Sequence, residues 1–355
     1  MAPRDNQHGR PRGHGGRRHG AGRHSRERQG RHQRRQEREP LSFRLPLPRD
    51  VRRALGEGDH GVDPDALTPC RNFGLRFTRY LGFPAAWEWR DGRGNDRKSE
   101  VWDGLLKDAA EAFRAQREDH EALLRRRARL VRALSEAHGP SGAALAFTGE
   151  VQWRLAVGLG IEHALENGCA LHRVLGFPYL PGSSVKGLCR GWRLATWADG
   201  WGVPRAEGEE NSPFHRYEAL AMEPDPENDG ARERAEKAYA ELREKAPGLP
   251  DTWAAFREAT APARAVFGSA GAAGRVRFLD AYPEKTLVGD EPILCLEIVN
   301  PHYSDYYATE GGVAPSDWLS PVPSSFLAVR KGTRFGFVLY GTDRALVEEA
   351  AGWLR

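Results

Sequence analysis

The stretch Pro178-Tyr179-Leu180-Pro181-Gly182-Ser183-Ser184-Val185-Lys186-Gly187-Leu188-Cys189-Arg190 constrains this chain more than any other. Its order of residue types predicts a strand end, a tight Pro-Gly turn and then a helix. Ser183 or Ser184 suits the helix N-cap, because a hydroxyl accepts from the free amides of the first turn. Those amides and the positive end of the helix dipole form a natural anion site. Lys186 and Arg190, four apart, project from one helix face. Gly182 and Gly187 allow close backbone approach to a ligand. Together these features suggest a bound phosphate. The same residues also describe a capped surface helix with two solvated charges. The stretch is not a Walker loop, since the lysine precedes the second glycine and no Gly-Lys-Ser/Thr follows.

Charge is distributed unevenly. The whole chain of 355 residues carries a formal +4. Residues 1–40 hold twelve arginines, no lysine and four acids, a net +8, which leaves the remainder at −4. These forty residues have almost no apolar side chains and cannot bury enough surface to fold, so they are expected to be a disordered Arg/Gly/His-rich arm. Arginine pairs with phosphate and stacks on bases, which fits a non-specific RNA-binding arm. A tail with no defined role fits equally. Four separated cysteines make no Cys-x-x-Cys pair, so neither a zinc site nor a disulfide framework is expected, and a reducing cytoplasm fits. No apolar run approaches a membrane span.

From Leu41 to Asp96 the chain is proline-broken, with Leu75, Phe77, Tyr80 and Leu81 forming a short element that docks on the body. Residues 99–137 keep a three-four apolar spacing through Trp102, Leu105, Leu106, Ala109 and Phe113, which predicts a long helix. The arginines Arg125, Arg126, Arg127 and Arg129 on it read as a solvated face, or as an RNA-facing stripe. Val151 to Val157 alternates, predicting a strand with Val151, Trp153, Leu155 and Val157 on one face. A second short strand is expected near Leu171–Leu175, and the signature helix is expected to run to Trp197. Residues 203–250 read as a mobile, charged Pro/Glu-rich insertion with one polar helix, 231–244. A helix at 252–266 precedes a glycine-rich loop. Strands follow at Val276–Phe278 and Ile293–Val299. Phe326 to Tyr340 reads as a hairpin turning at Lys331-Gly332, with Phe335, Phe337 and Leu339 inward. Asp343 caps a last helix ending at Leu354. The fold class expected is α+β with an antiparallel sheet. The domains expected are the arm at 1–40, an N-terminal extension at 41–145, and a core at 146–355.

Gly268, Gly271 and Gly274 have part of the spacing of a dinucleotide fingerprint. They follow a helix and precede a strand, the reverse of a Rossmann turn. Beside Arg275 and Arg277 they suit an RNA backbone contact or a plain connector. General acid-base cleavage of RNA needs a positioned pair, often histidines. His163, His172 and His302 are the candidates, though nothing in their spacing requires them to meet. Asp280, Glu297 and Asp305 show no paired-carboxylate spacing for a metal. No catalytic residue, metal or cofactor is expected. Asn300 to Tyr307 mixes aromatic and polar groups and suits either base stacking or a loop anchor.

Pro-Gly-Ser-Ser-Val-Lys-Gly, with Arg190 three residues on, resembles the signature of the CRISPR-associated RAMP superfamily. Gly158-Leu159-Gly160 and His163-Ala164-Leu165-Glu166-Asn167-Gly168 upstream narrow the resemblance to the sixth-subunit family of Cmr (type III-B) complexes. Phe267-Gly268-Ser269, Arg275 to Pro283, Asn300-Pro301-His302-Tyr303 and the stretch from Asp317-Trp318 to Pro323 follow in that family's order. The resemblance covers about residues 146 to 340. It implies a ferredoxin-like (RRM-like) core and a non-catalytic, cytoplasmic subunit of an antiviral ribonucleoprotein. The implied partners are guide (CRISPR) RNA at its 3′ part, target RNA and other Cmr RAMP subunits, with no membrane. RNA contact is then expected from Gly182, Ser183, Ser184, Lys186 and Arg190, and from Gly268, Gly271, Gly274, Arg275 and Arg277. A self-sufficient RAMP endoribonuclease using His163, His172 or His302 is the alternative, and a purely structural adaptor is the third reading.

Overall fold

The structure is a computed structural model that describes residues 43–44, 49–54, 70–84, 98–139, 141–205, 212–300, 306, 309, 312–314 and 323–355. The chain divides into two units, Met1–Pro40 and Leu41–Arg355. The basic arm, His302, the Asn300 to Tyr307 stretch apart from Asn300 and Tyr306, and the Asp317 to Pro323 stretch apart from Pro323 lie outside the described residues.

The N-terminal elements are β1 (Phe43–Arg44), α1 (Arg49–Ala54), α2 (Phe73–Thr78) and β2 (Phe83–Pro84), with β1 and β2 paired antiparallel. The helical pattern expected over 99–137 is two helices, α3 (Lys98–Ala115) and α4 (Arg117–Ala137), parted at Gln116. Their apolar stripes serve different surfaces, so the chain turns between them. Val101, Trp102, Leu105, Ala109 and Phe113 of α3 are buried with Phe73 and Phe77 of α2, whereas α4 buries chiefly His120. Helical spacing is what puts those five side chains of α3 on one face.

Next come β3 (Ala143–Glu150), β4 (Glu162–His163), β5 (Glu166–Asn167), α5 (Gly182–Gly200), α6 (Pro213–Met222), α7 (Asp229–Lys245) and α8 (Trp253–Phe267). The C-terminal part holds β6 (Gly268–Ser269), β7 (Ala272–Ala273), β8 (Val276–Phe278), β9 (Tyr282–Pro283), β10 (Leu287–Val288) and β11 (Glu291–Pro292). It ends with β12 (Leu294–Val299), β13 (Ser324–Val329), β14 (Arg334–Gly341) and α9 (Arg344–Leu354). The architecture is α+β, and its sheets are antiparallel.

β14 is the centre of the main sheet. It pairs with β3 on one side, Phe337 opposite Phe147, and with β8 and β9 on the other, Leu339 opposite Phe278. On one face Leu339, Ala143 and Val276 join a core with Cys189 and Leu194 of α5, Phe256 and Val266 of α8, and Val347 and Ala350 of α9. On the other, His138 at the end of α4 stacks on Tyr340 with ring centroids 5.9 Å apart. A second ladder pairs β12 with β13, Leu296 opposite Leu327, and packs with α2 and α3.

Three expectations are corrected here. Phe326 to Tyr340 is no hairpin, because β13 pairs with β12 while β14 pairs with β3, β8 and β9. The turn at Lys331-Gly332, where Gly332 has φ 81°, carries the chain from one ladder to the other. Residues 151–157 form no strand. Val151 bonds to Thr333 and Gly332, and Leu155 exchanges backbone hydrogen bonds with Val329, so the segment spans the gap between ladders. Its alternation is incomplete as a result, and Trp153 stands out with 77% exposure. Near Leu171–Leu175 there is likewise no strand, only a turn closed by a Leu171–Pro178 bridge.

The expected mobile insertion at 203–250 contains two helices packed into the main core. Tyr217, Leu220 and Ala221 of α6 and Ala235, Tyr239 and Leu242 of α7 are buried there. Each such large side chain contributes about 1.5–3 kcal/mol by leaving water. Ser212 and Asn228 cap the two helices by accepting from His215 and Ala231 amides at 3.3 and 2.9 Å. Arg257 and Arg264 of α8 donate to the Glu223 and Ala221 carbonyls at 2.6 and 2.9 Å, closing the end of α6. Burial and the neighbouring Arg257 charge bring the Arg264 guanidinium down to about 10. As expected, Asp343 caps α9; Thr252 does the same for α8. The signature helix runs one turn further than Trp197, to Gly200.

Candidate nucleic-acid interface

The signature turn is stitched to the strand beside it. Leu180 and Ala281 exchange backbone hydrogen bonds of 3.0 and 2.8 Å. Pro181 is the residue before α5, and the Gly182 amide donates to Asp280 Oδ1 at 2.7 Å. Neither Ser183 nor Ser184 is the N-cap; they are the second and third helical residues. Proline has no side-chain acceptor, so the carboxylate of Asp280, next to the Ala281 that bridges to Leu180, does the cap's work. It also places a negative charge at the positive helix end, a favourable arrangement.

Gly182 is needed for packing. A Cβ there would lie 2.2 Å from the Phe278 carbonyl oxygen, so the close approach is to β8. Gly187 faces open space, with nothing within 4 Å of a Cβ. Gly182, Val185, Cys189, Leu194 and Ala198 form the buried stripe of α5. Ser184, Leu188 and Trp192, each four apart, form an outward one, with Leu188 70% and Trp192 67% exposed. The hydroxyls of Ser183 and Ser184 are exposed and make no hydrogen bond among the described residues. Lys186 has no ion-pair partner among them. Arg190 pairs with Glu218 of α6 at 3.0 Å, so the two cations share a helix side but not a free state.

In the glycine-rich loop, β6 and β7 form a two-residue hairpin, Ser269 opposite Ala272. Gly271 at its tip has φ 78° and open space around it, as such a turn requires. Gly268 and Gly274 are sterically fixed, since a Cβ would meet the Ala272 and Val266 carbonyl oxygens at 2.4 and 2.2 Å. Arg275 pairs with Asp343 at 3.3 Å, and Arg277 donates to the Gly274 carbonyl at 3.1 Å. The structure therefore joins the signature to the end of β8 through Phe278 and Asp280, while Arg275 turns toward α9.

His163 and His172 are locked in turns. His163 Nδ1 accepts from the Leu165 amide at 3.1 Å, which leaves its Nε2–H to donate to the Phe77 carbonyl at 2.8 Å. Its ring stacks on Phe77 with centroids 3.9 Å apart. His172 Nδ1 accepts from the Leu175 amide at 3.2 Å, and its ring stacks on Phe177. Burial pushes both below the usual imidazole range, with the Phe77 hydrogen bond and the Asp280 charge opposing it. Burial also raises the Cys169 and Cys189 thiols to about 12. Among the described residues no group of three His, Cys, Asp or Glu side chains is placed to hold a metal.

The motif between β4 and β5 has a bonding role. Glu166 is the one non-glycine residue with positive φ among those described, at 76°. Its carboxylate accepts from Ser324 Oγ at 2.7 Å, and the Asn167 amide donates to the same hydroxyl at 2.8 Å, so the pair ties β5 to β13.

Sequence reasoning missed the space beside the signature. A cavity of about 900 Å³ lies between α2 and residues 157–173 and reaches Ser184. Another of about 640 Å³ is bounded by residues 149–158, Leu188 and Phe335. Val157, Gly158 and Ser184 line both. The available signal was Trp153 set between polar Gln152 and Arg154, although the alternation alone puts it on one strand face with Val151, Leu155 and Val157.

The RAMP superfamily sequence profile matches residues 131–318. The chain belongs to the RAMP superfamily. Among its RAMP relatives, the protein named CRISPR system Cmr subunit Cmr6 from Pyrococcus furiosus is 34% identical over 221 residues, 58% of this chain and 60% of that protein. The chain thus spans less than two thirds of that relative's length. Among solved structures, the type III-B Cmr-beta complex bound to cognate target RNA contains a similar chain, 14% identical with a TM-score of 0.39, covering 74% of this RAMP and 68% of that chain. The crystal structure of Cmr6 from Pyrococcus furiosus gives 28% identity and a TM-score of 0.35, covering 61% and 90%.

Among the described residues, no helix is long and apolar enough to cross a membrane.

Proposed function

We propose that this RAMP protein is an RNA-binding subunit of a type III-B (Cmr) CRISPR ribonucleoprotein, working in the cytoplasm in antiviral defence. It holds the 3′ part of the guide RNA, touches target RNA, docks on other Cmr RAMP subunits and cuts no RNA itself. The observation that carries this reading is the 34% identity over 221 residues to a Cmr subunit. The main sheet with α5 and α9 is read as a ferredoxin-like core. The RNA contacts assigned are Gly182, Ser183, Ser184, Lys186 and Arg190 at the signature, and Gly268, Gly271, Gly274, Arg275 and Arg277 at the glycine hairpin. The exposed hydroxyls of Ser183 and Ser184 and the Lys186 ammonium, none with a partner among the described residues, support the first set. The exposed tip at Gly271 supports the second. Guide spacers vary, so recognition runs through phosphate and shape. The engagement of His163 and His172 in turn hydrogen bonds and ring stacks supports a role without cleavage chemistry.

The test is purification from the native cell with sequencing of the RNA that comes along. Guide RNA with a repeat-derived 5′ end is expected. Absence of RNA would leave the protein as an adaptor. Specific RNA cleavage by the isolated chain, lost in His172→Ala, would show that it is a nuclease.

A further inference from the structure

Arg79 on the exit of α2 and Arg173 in the turn after β5 both line the larger cavity, and both are exposed. Neither has an ion-pair partner among the described residues. Many other surface arginines do, for example Arg154 with Glu297, Arg205 with Asp199 and Arg334 with Glu284. Among the described residues Glu162 is the one acid on that cavity wall, so two cations face one anion. Ser184 stands where this cavity meets the second, and its hydroxyl makes no hydrogen bond among the described residues. At the second cavity Trp153 is 77% exposed and Leu188 forms part of the wall. The charge of neighbouring Arg154 is already matched, by Glu297 and the Leu296 carbonyl.

We propose that these two cavities form one track for single-stranded RNA. Arg79 and Arg173 hold phosphate at one end, Ser184 meets the backbone midway, and a base stacks on Trp153 at the other. The proposal rests on the RNA-binding reading and adds a path and three residues to it. The succession of cations, hydroxyl and bare indole along one groove matches the needs of a phosphate, a ribose and a base in turn. A docking protein would use the apolar surface of Leu188 and Trp192 without calling on the unmatched arginines. Duplex RNA keeps its bases stacked inside and offers Trp153 nothing.

The experiment uses the full chain with a fluorescein-labelled single-stranded oligouridylate, read by anisotropy at several salt concentrations, with duplex RNA as comparison. Trp153→Ala is expected to weaken single-strand binding about five- to a hundredfold, the usual range when a base stack is removed. Trp153→Phe restores most of it, because a flat ring is what the base needs. Joint Arg79→Gln and Arg173→Gln lower the salt slope by roughly 1.4, at roughly 0.7 for each single-strand phosphate neutralised. Duplex RNA binds more weakly and does not respond to Trp153→Ala. If the wild-type chain binds RNA and all these variants match it, the track is wrong while the RNA-binding reading stands. If the wild type binds no RNA, both are overturned. If Trp153→Ala instead abolishes docking of another protein subunit and leaves RNA affinity unchanged, the surface is a protein interface and the track is overturned.

Discussion

Replacing Gly182 by alanine tests how the signature helix is anchored. The added Cβ would sit 2.2 Å from the Phe278 carbonyl oxygen and 3.0 Å from the Leu279 carbonyl carbon, both backbone atoms. No rotamer change relieves such a clash, so the start of α5 or the end of β8 must move. Overpacking of this kind costs about 1–3 kcal/mol. Movement also lengthens the 2.7 Å bond from the Gly182 amide to Asp280, a hydrogen bond to a charged group worth about 1.5–3 kcal/mol. Weakening of the second on top of the first gives an expected destabilisation of about 2–4 kcal/mol. The matched control is Gly187→Ala one turn further along the helix. Its Cβ meets nothing within 4 Å, so removing a mid-helix glycine should be neutral or stabilising by up to about 1 kcal/mol. Urea denaturation of the two variants, followed by circular dichroism, measures the difference in midpoint at constant slope. Equal stability of the two variants would refute the packing argument. Unchanged stability of Gly182→Ala with reduced RNA affinity would show that the glycine serves the RNA contact rather than the packing against β8.

Burial holds His120, His163 and His172 below the ordinary imidazole range, so their neutral forms are favoured in the folded state. The unfolded chain then binds more protons, and stability must fall as pH drops below about 6.5. A thermal midpoint that stays constant from about pH 7 to 5.5 would contradict this. At the signature, Lys186→Ala and Arg190→Ala should weaken RNA binding by similar factors for unrelated spacer sequences, because phosphates carry no sequence information. Arg190→Ala also breaks the partly exposed pair with Glu218 and should cost at most about 1 kcal/mol of stability. Unchanged RNA affinity in both variants would reduce this face to a surface element. Deletion of residues 1–40 should leave the body folded and flatten the salt dependence of RNA binding by roughly 0.7 for each phosphate the arm had neutralised; an unchanged slope would show that the arm touches no RNA.

Much of the secondary structure was legible because its signals are local. Thr252 and Asp343 announce α8 and α9 through bonds made three residues away. The helix of the signature was legible for the same reason, whereas the glycine-rich stretch was legible as a loop and not as the β6–β7 hairpin it forms. What failed depends on distant partners. Phe326 to Tyr340 has the pattern of a hairpin, yet each strand finds a better ladder elsewhere, β12 for one and β3 for the other. Tyr217, Leu220 and Leu242 sit among charges in a stretch that looks solvated, and only the core they fill gives them a place. The helix cap was misassigned because the true acceptor, Asp280, is 98 residues away. The signature could be located from sequence. Its surrounding groove could not, since Arg79, Trp153 and Arg173 come from three separate segments, none with a motif of its own.

Ultraviolet cross-linking of the native ribonucleoprotein, with peptide mapping of the adducts, tests the central claim most directly. RNA adducts are predicted on the peptides holding Trp153 and Ser183 to Arg190. Adducts confined to other surfaces of the protein, or none on this chain while neighbouring subunits cross-link, would contradict the assignment of RNA to the start of α5.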